Sequence, residues 1–270
     1  NLTVGGGIQV ALSFIHLLPR YAEHSFYVVV SSSILKQINF AEKPSNIIIE
    51  ELNFGIKQGL KRNKSLMEIE RKFNPDIVFT VFGPSYWTPK ATHLMGFALP
   101  WLINPNTEAF KVMPLKQQLK KHAQNKFKGF YTKKNGSKYV VETEDVKERL
   151  TTYLKIPNER IWVVNNTYNQ FFNQAISSVK KREDVFKLVT ISANYPHKNL
   201  AVIKKVVEIL KEKKLKVQFT LTIPLKDYQE VFKGFEENVI TLGPIEAKDC
   251  PEHYRNADAL FLPTLLECFT

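Results

Sequence analysis

The chain has 270 residues, of which 44% are hydrophobic and 24% charged, and its formal net charge is +12. This length can bury one large core or two ordinary ones, and the composition excludes an intrinsically disordered chain. No apolar run approaches the ~18–20 residues that span a bilayer, and residues 1–20 lack a signal-peptide pattern. Cys250 and Cys268 have neither metal-ligand nor redox spacing, so a cytoplasmic protein is expected, either free or at the inner membrane surface.

Strand-like and helix-like segments alternate along the chain. Strands are predicted over Phe26–Val30, Ile47–Leu52, Ile77–Val81, Tyr139–Glu142, Ile161–Val164, Phe186–Ile191, Val217–Thr222, Val239–Leu242 and Ala259–Leu262. Helices are predicted over residues 109–128, 143–154 and 198–213, where apolar residues recur at three- and four-residue steps. The alternation predicts an α/β fold with parallel sheets covered by helices on both faces.

A polar, charged segment without a clear period, residues 173–184, interrupts this alternation. It predicts two domains, residues 1–175 and 176–270. Glycines that should follow a first strand stand at residues 5–7, and the second domain is short for a doubly wound half. We therefore expect an N-terminal strand and further C-terminal residues beyond this sequence, which leaves the C-terminal domain incomplete.

Three consecutive glycines, residues 5–7, precede an apolar helical pattern. Gly6 and Gly7 would let backbone amides approach an anion at the helix N-terminus, although a tight strand-to-helix turn explains them equally well. The full three-glycine spacing of a dinucleotide site is absent, so no such cofactor is expected.

A second candidate anion-binding site is the segment SANYPHKNL, Ser192–Leu200, which joins a strand to a helix. Asn194 is predicted to cap the helix, with His197 and Lys198 in its first turn. Cations there oppose the helix dipole, which points to an anionic ligand in front of the helix. The alternative is a solvated lysine.

The last 33 residues predict a strand, a turn at Gly243, a short helix that carries Tyr254, and a strand that ends at Pro263. Glu267 falls where the next helix should begin. Its carboxylate could cap that helix or accept hydrogen bonds from sugar hydroxyls.

His93 lies in the segment Lys90–Trp101 and is expected near the carboxyl end of a strand, where open parallel sheets bind ligands. A lone histidine is also often structural, so both interpretations stay open.

Basic residues are densest in residues 111–138. This stretch predicts either a solvated helix face or attraction to an anionic membrane surface. Nucleic acid is not an expected partner, because no recognised motif or aromatic–basic platform occurs.

Four segments in order resemble the retaining glycosyltransferases of family four, which have the GT-B fold of two Rossmann-like domains facing a cleft. The segments are GGGIQVALSF, the run Lys138–Asn166, HKNL, and ITLGPI with HYRNADALFLPTLLECF. The last is the most specific, since it leads into the paired-glutamate motif of that family.

The resemblance implies that a nucleoside-diphosphate sugar binds the C-terminal domain and that a glycan or lipid-linked acceptor binds the N-terminal domain. It implies catalytic positions at His93 and Glu267, where the histidine contacts the transferred sugar and the glutamate binds the donor sugar. The diphosphate-binding residues implied are Lys198, His197, Gly6 and Gly7, and further cleft candidates are Asn194, Gly243, Tyr254 and Asn166. A leaving-group phosphate oxygen takes the acceptor proton, and neither a metal ion nor a cofactor is expected, in agreement with the lack of an Asp-x-Asp motif.

Some positions depart from the family pattern. The basic residue usual before the lysine is missing from Ser192–Pro196, Cys268 and Thr270 replace glycines, and the second glutamate would lie past Thr270. The leading hypothesis is a transferase in cell-surface polysaccharide synthesis. The alternatives are a GT-B sugar-nucleotide epimerase and a non-catalytic nucleotide-binding partner subunit.

Overall fold

The computed structural model describes residues 6–40, 42, 44–54, 58–166, 172 and 184–268. The chain divides into two compact units. The first unit comprises Asn1–Ile103, Lys121–Thr167 and Cys268–Thr270, and the second comprises Asn104–Lys120 and Tyr168–Glu267. The boundary predicted between residues 175 and 176 lies outside the described residues.

Helices and strands alternate through the described parts of the chain. The strands are β1 (Phe26–Val30), β2 (Ile47–Glu51), β3 (Ile77–Thr80), β4 (Thr92–Gly96), β5 (Lys138–Val141), β6 (Ile161–Val163), β7 (Phe186–Thr190), β8 (Val217–Leu221), β9 (Val239–Thr241) and β10 (Ala259–Leu260). The α-helices are α1 (Gly6–Leu17), α2 (Ser32–Leu35), α3 (Gly59–Phe73), α4 (Pro100–Ile103), α5 (Leu115–Asn135), α6 (Glu144–Leu154), α7 (Val202–Glu212), α8 (Leu225–Phe232) and α9 (Cys250–Asn256). None of these helices combines the length and the apolar character needed to cross a bilayer.

The first unit contains two parallel sheets. Strands β1 and β2 pair with each other, and β3, β4, β5 and β6 follow in chain order across a four-stranded sheet. The buried face of α1, formed by Ile8, Leu12 and Ile15, packs against Val30 and its neighbours. A separate core joins β4, β5 and β6 to α4 and α6, with Met95 and Tyr139 almost completely buried.

The second unit is a single parallel sheet of order β10-β7-β8-β9. Its main helix, α7, is amphipathic because its apolar residues recur every three or four positions. Ile203 and Val207 are buried, and they pack with Phe219 of β8 in one core. The chain runs from β7 to β9 in one direction across the sheet and then returns to place β10 on the other side of β7.

The predicted α/β class and the parallel pairing are confirmed. One strand was missed, β4, whose sequence begins with the polar residues Thr92 and His93. The helix predicted over residues 109–128 was displaced: residues 108–110 form a 3₁₀ turn, and α5 begins at Leu115 after Pro114. A proline has no N–H to give a helix interior, which explains the later start.

Candidate functional site

The second sheet has a topological switch point. From β7 the chain proceeds to β8 and β9 on one side, whereas β10 pairs with β7 on the other side. The loops that leave the carboxyl ends of β7 and β10 therefore start side by side at the switch point, and we call the space outside these strand ends the switch-point crevice. In open parallel sheets, ligands bind at this place.

Lys198 reaches this crevice from the loop after β7. It ends a short 3₁₀ turn, Pro196–Lys198, that is closed by Asn199 in the left-handed conformation with φ of 53°. Its ammonium group forms an ion pair with the carboxylate of Glu267. The side chains are 21% and 23% exposed, so the pair is partly shielded from water yet still accessible.

Glu267 reaches the same crevice from the loop after β10. The hydroxyl of Thr264 donates a hydrogen bond of 2.8 Å to the Glu267 carboxylate, to the same oxygen that faces Lys198. One carboxylate oxygen thus has two donors, which fixes the orientation of the group. The helix expected to begin at Glu267 would lie beyond Cys268, outside the described residues.

Backbone contacts hold the two loops together. The Leu265 N–H donates to the carbonyl of His197 over 2.8 Å. The Thr190 hydroxyl, at the buried end of β7, donates to the carbonyl of Phe261. The segment 104–120 adds a further contact, because the Thr107 hydroxyl lies 3.3 Å from the carbonyl of Leu265. Each of these bonds ends on a backbone carbonyl, so contacts other than the Lys198–Glu267 ion pair also hold these segments together.

Thr190 and Thr264 were missed by the sequence analysis. The spacing Thr264-x-x-Glu267 is the threonine-to-glutamate spacing of a helix capping box and could have drawn attention to the threonine. Thr190 carried no comparable signal, because its role depends on the pairing of β7 with β10.

Two expectations about the loop after β7 were wrong. His197 and Lys198 do not lie in the first turn of a long helix, because α7 begins only at Val202. Asn194 does not cap the turn: Tyr195 occupies the capping position, without a side-chain bond. The Tyr195 ring stacks on the imidazole of His197, with ring centroids 5.8 Å apart and planes 6° from parallel.

His93 is placed differently from the expectation. It is the second residue of β4 rather than a residue at a strand's carboxyl end, and its side chain is 1% exposed. Its Nδ1 lies 2.6 Å from the carbonyl of Asn135, and its Nε2 lies 2.8 Å from the hydroxyl of Thr80. A carbonyl only accepts, so Nδ1 carries the proton and the hydroxyl donates to Nε2. Burial lowers the pKa of His93, which keeps the ring neutral.

Asn166 lies beyond β6 in the first unit. Its side-chain amide donates to the carboxylate of Glu142, which follows β5. Burial raises the pKa of Glu142, and the bond from Asn166 opposes that effect. Glu142 and Asn166 therefore lie at the carboxyl edge of the four-stranded sheet of the first unit.

The remaining candidates occupy other places. Gly6 and Gly7 are the first residues of α1, and residue 5 lies outside the described chain. Gly243 follows β9 with φ of 74°, and β9 is two strands from β7, about 10 Å at ordinary strand spacing. Tyr254 lies on α9 with its ring 5.9 Å from that of Phe172, and burial raises the pKa of its phenol. Among the described residues, no group of three or more His, Cys, Asp or Glu side chains is placed to hold a metal ion.

No protein-family model and no curated protein sequence matches the chain. Solved structures do match. A glycosyltransferase from Rickettsia africae ESF-5 superposes with a TM-score of 0.63 at 16% identity, covering 97% of this chain and 70% of that one. The lipopolysaccharide outer core galactosyltransferase WaaB superposes with a TM-score of 0.54 at 15% identity, covering 97% and 71%. A UDP-N-acetylglucosamine 2-epimerase from Rickettsia bellii gives 0.51 at 12% identity, covering 94% and 70%.

These matches show the fold. The chain has the GT-B architecture of two Rossmann-like α/β units, as expected. It spans about seven-tenths of the length of each of these structures.

Proposed function

We propose that the chain is a retaining glycosyltransferase that moves a sugar from a nucleoside-diphosphate sugar to a glycan or lipid-linked acceptor in cell-surface polysaccharide synthesis. One observation carries this proposal: Lys198 and Glu267 meet in the switch-point crevice of the second sheet. A nucleoside-diphosphate sugar needs a cation for its diphosphate and hydrogen-bond acceptors for its sugar hydroxyls. Lys198 can supply the first and Glu267 the second.

In this proposal Lys198 binds the donor diphosphate. Cleavage of the bond between sugar and phosphate leaves negative charge on the departing nucleoside diphosphate, and a fixed cation stabilises that charge in the transition state. Lysine suits this task as a compact point charge on a flexible stem. The Lys198 ammonium group pairs with the Glu267 carboxylate in the structure, and in this proposal the phosphate oxygens of the donor take the place of that carboxylate.

Glu267 accepts hydrogen bonds from the hydroxyls of the donor sugar once Lys198 has turned to the diphosphate. The Thr264 hydroxyl remains bonded to the carboxylate and holds it in place. A carboxylate that needs no reorientation binds better, because less conformational freedom is lost on binding.

Retention and the acceptor class follow from the resemblance of the four sequence segments. A phosphate oxygen of the leaving group takes the acceptor proton on the same face of the sugar, so the chain itself need not supply a base. The match to a lipopolysaccharide galactosyltransferase agrees with an acceptor at the cell surface. His197, Gly6 and Gly7 remain proposed phosphate contacts. Both ring nitrogens of His93 are hydrogen-bonded inside the first unit, so His93 is left out of the proposed catalytic residues.

The test measures release of nucleoside diphosphate from a panel of nucleotide sugars, with and without acceptor, by the wild type, Lys198→Ala and Glu267→Gln. We expect both variants to lose turnover by about 10- to 100-fold, since each removes a charged contact worth roughly 1.5–3 kcal/mol. The Glu267 variant should bind the free nucleoside diphosphate at least as tightly as wild type, because it frees Lys198. Unchanged turnover in both variants would remove the site assignment.

The same assay separates the alternatives. Conversion of the donor to its epimer without release of nucleoside diphosphate would favour a sugar-nucleotide epimerase, the activity named for the Rickettsia bellii structure that shares the fold. Nucleotide binding without any turnover would favour a non-catalytic partner subunit. EDTA should leave transfer unchanged if, as proposed, no metal ion takes part.

A further inference from the structure

Helix α5 has an unusual composition. It carries lysines along its whole length and contains no aspartate or glutamate. Residues 121–135 of this helix belong to the first unit. Their buried side is formed by Gly129, Thr132 and Asn135. The other side has no partner of opposite charge within the helix, so its lysines raise the local positive potential together.

The outward side of this segment is both basic and apolar. Phe127 is 55% exposed and Phe130 is 57% exposed, which is high for phenylalanine. Lys126, Lys133 and Lys134 are exposed beside them. Large apolar side chains that stand in water among cations mark a surface that contacts something else.

The rings form one cluster. Tyr131 is at the centre, with its ring centroid 4.8 Å from that of Phe127, 5.3 Å from that of Phe130 and 5.1 Å from that of Tyr86. The ammonium group of Lys134 lies 5.7 Å from the centroid of Phe130. On the far side, the guanidinium of Arg62 lies 5.7 Å from the ring of Tyr86. We call this surface the basic-aromatic patch; its residues are Arg62, Tyr86, Lys126, Phe127, Phe130, Tyr131, Lys133 and Lys134.

The end of the patch at Lys133 and Lys134 lies away from the ligand edge of the four-stranded sheet. These two lysines stand in the last turn of α5, and the chain then enters β5 at Lys138. Asn135, at the end of the helix, donates to the carbonyl of Ser85 over 2.7 Å and so joins α5 to the loop that leads into β4. Asn135 also contacts His93 near the start of β4, so this end of α5 lies at the amino ends of β4 and β5. Small ligands of parallel sheets bind at the carboxyl ends, so Lys133 and Lys134 are placed for docking rather than for substrate binding.

We propose that the basic-aromatic patch binds the surface of an anionic phospholipid bilayer. Lysines on such a face attract anionic headgroups, and aromatic rings beside them bury their apolar parts at the headgroup–acyl boundary. Nucleic acid fits less well. Base stacking needs open ring faces, whereas Tyr86 and Phe130 meet Tyr131 edge-on, with interplanar angles of 75° and 87°. This inference stands independently of the proposed donor site.

The test is flotation of the full chain with vesicles of phosphatidylcholine alone or with 30% phosphatidylglycerol. We expect binding only to the anionic vesicles, and loss of binding at high salt because the Debye length shortens from about 10 Å at 0.1 M towards about 3 Å at 1 M. The variant Lys126→Gln, Lys133→Gln, Lys134→Gln should bind about 100-fold more weakly, at roughly fivefold per lysine.

The matched control is Lys205→Gln, Lys213→Gln, Lys216→Gln, which removes the same charge from exposed positions of the second unit. It should keep its affinity within about threefold. Equal loss in both triple variants would overturn the proposal, because binding would then follow net charge alone. So would binding to a single-stranded oligonucleotide through the patch without binding to vesicles.

A second measurement tests insertion of the rings. In Phe130→Trp the new indole should show blue-shifted emission and quenching by brominated lipids when anionic vesicles are added. The rise in quenching should be absent from the wild type, whose tryptophans lie outside the patch. An indole that stays in water while the protein binds would contradict the proposed role of the aromatic residues. Circular dichroism of each variant checks that the fold is kept.

Discussion

His93 offers a sharp test of how the first unit is held together. The substitution His93→Ala removes a ring that is 1% exposed and takes a hydrogen-bond partner from the half-buried hydroxyl of Thr80 and from the carbonyl of the buried Asn135. Each unpaired group costs about 1–3 kcal/mol, and the emptied volume adds to that cost. We expect a loss of about 3–5 kcal/mol, a large share of the roughly 5–15 kcal/mol that stabilises a typical domain.

The variant His93→Asn separates the two hydrogen bonds. The asparagine amide nitrogen stands close to where Nδ1 was and can donate to the carbonyl of Asn135, while the bond from Thr80 is lost. Its destabilisation should be about half that of the alanine variant. Chemical denaturation followed by circular dichroism measures both. A structural role for His93 is contradicted if His93→Ala unfolds at the wild-type denaturant concentration. It is also contradicted if His93→Asn keeps full stability and donor binding but loses turnover, which would indicate a catalytic ring.

The pH dependence of stability adds an independent check on the same residue. Burial lowers the pKa of folded His93 below the ordinary value of 6.5. As pH falls below about 6.5 the unfolded chain takes up a proton that the folded chain refuses, so stability decreases until the folded pKa is reached. Between pH 7.5 and 5.5 the wild type should therefore lose more stability than His93→Asn. Parallel losses would show that the buried ring does not contribute.

Other predictions concern the first unit. Gly96→Ala should destabilise by more than about 4 kcal/mol, because its Cβ would stand 1.7 Å from the carbonyl oxygen of Val81, and wild-type thermal stability would contradict this contact. The matched control is Gly129→Ala within α5, where the new Cβ would make only ordinary contacts, 3.5 Å from Leu154 and 3.8 Å from Leu102. Its stability should rise by about 0.5–1 kcal/mol, because alanine favours a helix interior over glycine. Glu142→Gln should raise stability at pH 7, because burial raises the pKa of Glu142 and penalises its ionised form in the folded state, while the amide oxygen still accepts from Asn166. The gain should vanish below about pH 4.5, where both states are protonated, and a variant less stable than wild type at pH 7 in urea unfolding would count against it.

Regular periodicity made much of the fold predictable. The spacing of apolar residues in α7 predicted which face of the helix is buried, and Ile203 and Val207 on that face are buried in the structure. Its start was predicted too early, because the left-handed Asn199 separates the 3₁₀ turn from the helix. Such a local break leaves no trace in hydrophobic periodicity.

The interior of the first unit could not be predicted in the same way. Strand β4 begins with two polar residues, and a polar side chain in a core is tolerated only when its partners are present. The partners of His93 stand 13 and 42 residues away in the chain, so no local pattern reveals them. The sequence left both a structural role and a catalytic role open for His93.

The candidate site depended on topology. Lys198 and Glu267 are 69 residues apart, and they meet because β10 pairs with β7 rather than with β9. Strand order is decided by packing of whole elements, which single-residue patterns do not encode. The resemblance pointed to both residues, and the sheet order supplies the physical reason why they share one crevice.

The most direct test of the account is calorimetric titration of nucleoside mono- and diphosphates into the wild type, Lys198→Ala and the matched surface variant Lys213→Ala. A charge-assisted contact is worth roughly 1.5–3 kcal/mol, so Lys198→Ala should weaken the diphosphate by about 10- to 100-fold. The monophosphate should lose much less, and Lys213→Ala should match the wild type. Equal affinity of wild type and Lys198→Ala for every nucleoside diphosphate would contradict the claim that the switch-point crevice binds the donor.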